Sequence, residues 1–155
     1  MSISLSSKKN PNELRLEIKD VDTSIVNGIR RVCLSEYSTV AFNTEDYINS
    51  DLKVLKNTCG LHNEFLLHRI GMVPINAMKE TFDVNQYNFI LKKKNTGTST
   101  INVTTEDFEV IDTETGKNVD SKKFFPPNER NSYILITKLK PNPNNNGEEI
   151  HVEGK

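Results

Sequence analysis

Residues 63–74 read NEFLLHRIGMVP, and whether this stretch does chemistry or holds a structure together decides how the rest of the chain is read. Glu64, His68 and Arg69 are the raw material of an active site, yet they lie among Phe65, Leu66, Leu67 and Ile70 and run into Gly71 and Pro74. The spacing predicts a helix over residues 60–70, with Asn57 or Thr58 near its cap and Gly71 as its stop. Met72 to Ile75 then leave in extended form, because Pro74 disfavours a helical residue before it. The sharpest chemical hypothesis is a metal or acid–base site built from Cys59, His62, Glu64 and His68. At about 100° per residue from Cys59, His62 falls at about 300°, Glu64 at about 140° and His68 at about 180°. Only Glu64 and His68 share a face, so the four cannot converge from one helix. The order is also not the HExxH that a zinc hydrolase needs. The apolar residues are better organised. Cys59, Leu66 and Ile70 form one side with Leu67 at its flank, and Leu61 and Phe65 form a second, as expected of a helix wedged between two packed surfaces. Glu64 and His68, at i and i+4, can pair with each other. Arg69 can reach a carboxylate or backbone carbonyls of a neighbouring segment through two donors.

Upstream, ELRLEIKD alternates Leu14, Leu16 and Ile18 with charged residues, as a half-buried strand does. DVDTSIVNGIRRVCLSEY then takes helical spacing, with Ile25, Val26, Ile29, Val32 and Cys33 within about a third of the wheel and Asp22 or Thr23 as N-cap. Asn27, Arg31 and Ser35 lie opposite, with Arg30 at the border. STVAFN, residues 38–43, reads as a second strand, and the polar connector after it holds one short strand around Leu52–Leu55. From about residue 80 the texture becomes β-rich: YNFILKKK, STINVTTEDFEVID, SYILITKLK and EEIHVEGK, separated by the turn-rich pieces NTGTS, TETGK and PNPNNNG. The last of these reads as a solvated hairpin loop. Lysines 92–94 read as a solvated strand edge that resists further pairing.

The totals exclude several classes. A chain of 155 residues with 35% hydrophobic content supports a modest core, and some apolar surface is expected to need a partner. A net charge of −1 lacks the basic excess of a free-standing nucleic-acid binder. Only Cys33 and Cys59 are cysteines, which fits reduced thiols in a soluble, intracellular protein and excludes a self-contained four-cysteine zinc or iron–sulfur site. No signal peptide or run of 18 apolar residues is visible, so no membrane contact is expected. No GxSxG, Walker A or GxGxxG occurs, and Cys33 lies on the apolar helix face, where a thiol is usually inert. Nothing argues for a catalytic residue.

Two segments carry a resemblance. DVDTSIVNGIRRVCLSEYSTVAF resembles the pattern N-x-LRR-x-x-x-x-E-x-P-T-x-A at Asn27, Ile29, Arg30, Arg31, Glu36, Thr39 and Ala41, and NEFLLHRIGMVPI resembles DEF-x-x-HR-x-G-x-x-P at Glu64, Phe65, His68, Arg69, Gly71 and Pro74. These resemble the signature segments of the α-like subunits of DNA-directed RNA polymerase: the bacterial α N-terminal domain, the archaeal D subunit and the eukaryotic third-largest subunit. TTEDFEV and LKPNPNNNGEEIHVEGK are similar, more weakly, to the family's inserted domain. Ser38 stands where the family usually has Pro, and Asn63 where it usually has Asp.

The resemblance implies an α+β fold: an α/β dimerisation domain, begun by residues 1–45, interrupted by a β-rich insert domain over residues 46–155 that carries the 60–75 helix-turn segment. It implies a non-catalytic assembly scaffold that heterodimerises with a second α-like subunit, or a fused equivalent, and then receives the second-largest and largest polymerase subunits. DNA is met only through the complex, and no metal or cofactor is expected. Asn27, Arg30, Arg31 and Glu36 would serve the first helix in assembly. Glu64, Phe65, His68 and Arg69 would serve the second, and Gly71 and Pro74 would set the chain's exit. Arg30→Ala or Arg69→Ala is expected to block assembly and leave the free subunit folded. The family returns from the insert through a long C-terminal helix, and the chain is expected to stop short of that helix. A stand-alone interaction module of the same fold is the alternative, separable by whether a catalytic subunit co-purifies.

Overall fold

A computed structural model describes residues 2–7, 14–142 and 147–155. The chain divides into two compact units, residues 1–38 and 39–155. In the first, ELRLEIKD supplies strand β2 (Leu14–Lys19), which pairs antiparallel with β1 (Ser2–Ser7). The sequence reading does not foresee β1, whose serines leave only Ile3 and Leu5 as apolar marks. Asp20 ends β2 at φ 59°, in the left-handed region that a short polar side chain tolerates. Helix α1 spans Thr23–Ser35, capped by Asp22, whose Oδ1 accepts from Ser24 N at 2.8 Å. The Ser24 hydroxyl and amide hold the Asp22 carboxyl below its ordinary range. At the other end Glu36 N–H donates to Val32 O. None of the α1 residues is buried. Ile25, Ile29 and Val32, the expected core face, are 54%, 44% and 48% exposed, and Cys33 is exposed beside them.

The second unit is built on a five-stranded antiparallel sheet. Its strands are β3 (Leu52–Asn57), β4 (Tyr87–Lys94), β6 (Phe108–Asp112), β7 (Asn118–Val119) and β9 (Glu149–Gly154), in the order β3-β9-β4-β6-β7. A second pair joins β5 (Ile101–Thr104) to β8 (Leu135–Leu139). Strand periodicity explains the core. Tyr87, Phe89 and Leu91 of β4, Phe108 and Val110 of β6, and Ile150 and Val152 of β9 alternate inward and are buried. Phe42, Phe124 and Phe125 arrive from loops and complete an aromatic cluster, with ring centroids 5.1 Å apart for Phe42–Phe89, 5.4 Å for Phe89–Phe124 and 5.0 Å for Phe108–Phe125. Such pairs add about 0.5–1.5 kcal/mol each beyond the area they bury.

One strand reading changes and a second is narrowed. STVAFN is not a strand; it contributes one isolated bridge, Val40 to Ile75, with Ile75 N donating to Val40 O at 2.8 Å. Pro74 has no N–H to extend a ladder on that side. Lysines 92–94 run past the last β6 partner, Leu91 opposite Phe108, so one side of this stretch is an open edge, with Lys92 and Lys94 exposed, and the other is paired. They pair with β9, Lys92 opposite His151, Lys93 opposite Ile150 and Lys94 opposite Glu149. Lys93 Nζ is held by Asp107 Oδ1 at 2.6 Å and by Asn102 O at 2.9 Å, so the charge is met within the fold. Of the PNPNNNG tract, residues 143–146 lie outside the described residues. At its base Glu148 N donates to Lys140 O, and the Glu148 carboxylate accepts from Lys140 N.

Candidate assembly interface

Helix α2 spans Asn63–Gly71, and its position follows from one face. Leu66, Leu67 and Ile70 are 0%, 1% and 0% exposed against the sheet core. The N-cap is His62, with no side-chain cap bond. Asn57 acts one step earlier, donating from Nδ2 to Leu61 O and Asn63 Oδ1, both at 2.8 Å, and so fixes the lead-in. At the far end Met72 N–H donates to His68 O and Val73 N–H to Ile70 O. Val73 and Ile75 then turn inward and Pro74 outward, as an extended segment requires.

Arg69 reaches backbone carbonyls of a neighbouring segment, as its side-chain geometry allows. Its Nε donates to Ile136 O at 2.7 Å and an Nη to Leu135 O at 3.1 Å, stitching α2 to β8. Glu64 and His68 do not pair: among the described residues neither side chain makes a hydrogen bond or ion pair, and both are exposed. The second apolar side of the helix is open rather than packed, with Phe65 67% exposed. Gly71 is helical, not a left-handed stop. A Cβ there would meet Thr44 Oγ1 at 2.1 Å and Phe42 O at 3.2 Å, so glycine is required by the close approach of the 42–44 segment.

That segment is the part of the site the sequence reading passes over as a polar connector. NTEDYINSD, residues 43–51, is a nest of side-chain-to-backbone turns. Asp51 Oδ2 accepts from Asn43 N at 2.7 Å, Asp51 N donates to Asn43 O, and the Asp46 carboxylate takes Ile48 N and Asn49 Nδ2. The loop lies along α2: Thr44 abuts Gly71 at the helix's C-terminal end, and Asn63 Nδ2 donates to the Tyr47 hydroxyl at 3.5 Å at its N-terminal end. Between them is a cleft of about 520 Å³, lined by residues 44–47 and by Glu64, Phe65, Leu67 and His68. The Asx-forming residues Asn43, Asp46 and Asp51 were the signal that could have found it.

On α1, Arg30 donates from Nε and an Nη to Asn27 Oδ1 at 3.1 and 2.9 Å, and Ser35 Oγ donates to Arg31 O. The structure therefore brings Asn27 and Arg30 together, brings Glu64, Phe65 and His68 to one cleft, and turns Arg69 away to β8. Among the described residues no group of three or more His, Cys, Asp or Glu side chains could hold a metal ion, and no helix is long and apolar enough to cross a membrane. Cys59 Sγ lies 3.8 Å from both Leu61 O and Thr137 Oγ1.

Comparison with known proteins agrees with this architecture. Over 83 residues the chain is 37% identical to the DNA-directed RNA polymerases I and III subunit rpac1 of Dictyostelium discoideum, covering 54% of this chain and 21% of that protein. Over 78 residues it is 28% identical to the DNA-directed RNA polymerase subunit Rpo3 of Thermococcus kodakarensis, covering 50% of this chain and 27% of that protein. It is also 34% identical over 73 residues to a conjugation stage-specific protein of Tetrahymena thermophila, covering 47% of this chain and 20% of that protein. These matches thus span between a fifth and just over a quarter of the relatives' length. The RNA polymerase Rpb3/Rpb11 dimerisation domain matches residues 15–146, most of the 155 present, and the chain belongs to that family.

Proposed function

We propose that the chain is part of a non-catalytic α-like subunit of DNA-directed RNA polymerase. It pairs with a second α-like subunit or a fused equivalent, and the pair receives the second-largest and largest subunits. In this reading residues 1–45 begin the dimerisation domain and residues 46–155 form the insert, the protein is soluble and intracellular, and DNA is reached only through the complex. Asn27, Arg30, Arg31 and Glu36 serve α1 in assembly, and Glu64, Phe65, His68, Arg69, Gly71 and Pro74 serve α2 and its exit. The observation that carries the reading is the open apolar face of α1, Ile25, Ile29 and Val32, within a family defined by a dimerisation domain. A helix 13 residues long that buries no side chain gains little from its own propensity, and a protein partner supplies the missing apolar cover.

Affinity purification of the tagged full-length protein from its own cells tests this. Wild type is expected to bring down the two largest polymerase subunits, and Ile29→Asp to lose them by about tenfold or more, as for a central apolar contact, with an unchanged circular dichroism spectrum. Wild-type protein that arrives without a catalytic subunit overturns the reading and leaves the stand-alone interaction module in its place.

A further inference from the structure

We propose that the cleft between residues 44–47 and α2 seats a cationic segment of a partner polymerase subunit, an apolar side chain resting on Phe65 and lysine or arginine heads facing Glu45, Asp46 and Glu64. This rests on the polymerase reading above and narrows it to one surface and one chemistry.

Phe65 is the anchor. Of the seven phenylalanines, five are buried in the core, Phe82 is partly buried against it, and Phe65 alone is exposed. It has no route inward, because Leu66, Leu67 and Ile70 already fill the inner face of α2. Burying such a ring is worth about 1.5–3 kcal/mol. Tyr47, 48% exposed, supplies a second ring at the cleft, tied to Asn63.

The rim selects the partner's charge. Glu45, Asp46 and Glu64 line the cleft with no lysine or arginine among them, and His68 is the one basic group. The whole chain carries only −1, so this acidity is local. Neither Glu45 nor Glu64 has a side-chain partner among the described residues. A purely apolar occupant would strip water from these carboxylates with nothing in return. An acidic segment or a nucleic acid would be repelled. A cationic segment satisfies both rings and rim. The volume, about 520 Å³, takes a few side chains of an extended segment rather than a folded domain, and the turn-locked 43–51 loop presents a wall already shaped for it, which reduces the ordering cost of binding.

The test uses the full-length tagged protein in its own cells with Phe65→p-benzoylphenylalanine, irradiated in the purified complex, and maps the cross-linked peptide by mass spectrometry. The expected adduct is to a partner-subunit segment bearing at least two more basic than acidic residues near the linked site. Its yield should fall about fivefold or more with Glu45→Gln plus Glu64→Gln, and likewise between about 0.05 M and about 0.5 M salt. Both glutamates lack internal partners, so the double variant keeps the fold. Catalytic subunits present with no adduct, an adduct to a neutral or acidic segment, or a yield indifferent to the glutamates overturns the cleft proposal alone. Loss of the catalytic subunits from the unsubstituted protein overturns the polymerase reading and this proposal with it.

Discussion

Gly71 shows how one residue can be required for a reason its motif does not announce. Replacing a helical glycine by alanine ordinarily stabilises by about 0.8–1 kcal/mol. Here the new Cβ would lie 2.1 Å from Thr44 Oγ1 and 3.2 Å from Phe42 O, and overpacking of that kind costs about 1–3 kcal/mol. Gly71→Ala is therefore expected to lower the thermal midpoint, and Thr44→Ala in the same chain to restore much of the loss. A Gly71→Ala protein that is more stable than wild type sinks the explanation. Arg69 is a second case. Its two donors end on Ile136 O and Leu135 O, and bonds from a charged donor contribute about 1.5–3 kcal/mol. Arg69→Lys keeps the charge but not the fork, so amide exchange in β8 should quicken in Arg69→Lys nearly as much as in Arg69→Ala. Protection equal to wild type in Arg69→Lys would show that charge alone suffices. Arg69's reach to carbonyls was readable from its place on the helix, whereas Gly71 read as a stop because the facing segment is 27 or more residues away in sequence and invisible to local pattern. The Glu64–His68 pair was readable as a spacing but does not form, since an exposed i, i+4 pair gains only a few tenths of a kcal/mol.

At the scale of elements, alternation found β2, β-rich runs between turns found β3, β4, β8, β9 and the stretch that holds both β5 and β6, and helical spacing found both helices. Pairing was not legible. YNFILKKK is a strand by its first five residues, but only its neighbours reveal that the lysines pair on one side with β9, Lys94 opposite Glu149, and that Lys93 is held by Asp107. The Glu149 side chain meets Lys56 Nζ at 2.9 Å. That hydrogen bond, with the charges of Lys56, Lys94 and Lys92, holds its carboxyl below the ordinary value of 4.5. A folded-state value held below the unfolded one gives stability that is present above the unfolded value and lost as pH falls through the folded one. Glu149→Gln is therefore expected to lower the urea midpoint at about pH 7 and to converge on wild type as the pH falls through the lowered folded-state value of Glu149. A difference that stays constant over that range would show that the ion pair contributes nothing.

For the molecule as a whole, the two units differ in how much they cover themselves. Residues 39–155 enclose a core of fully buried side chains, while α1 in residues 1–38 buries none. An amphipathic period tells which face a helix will hide, not whether the covering surface belongs to the same chain, and this is why a core face was read where an open one stands. The α2 cleft escaped for a related reason: its second wall is a loop whose order comes from turns, which leave no hydrophobic period.

Strand β9 has a consequence for the order of events during synthesis. It lies between β3 and β4, and Thr58 at the end of β3 bonds to Glu149 across 91 residues of sequence. Neither neighbour can complete its ladder until residues 149–154 have left the ribosome, so the earlier strands wait with β3 unpaired and β4 paired on one side only. Folding dominated by such distant contacts is slow, in the range of about milliseconds to seconds. In pulse-labelled refolding, the amides of β3 and of Lys92–Lys94 should gain protection together with those of β9 and not before. Until then Leu52, Phe89 and Leu91, which the finished fold buries, are dependent on whatever shields nascent chains in the cell.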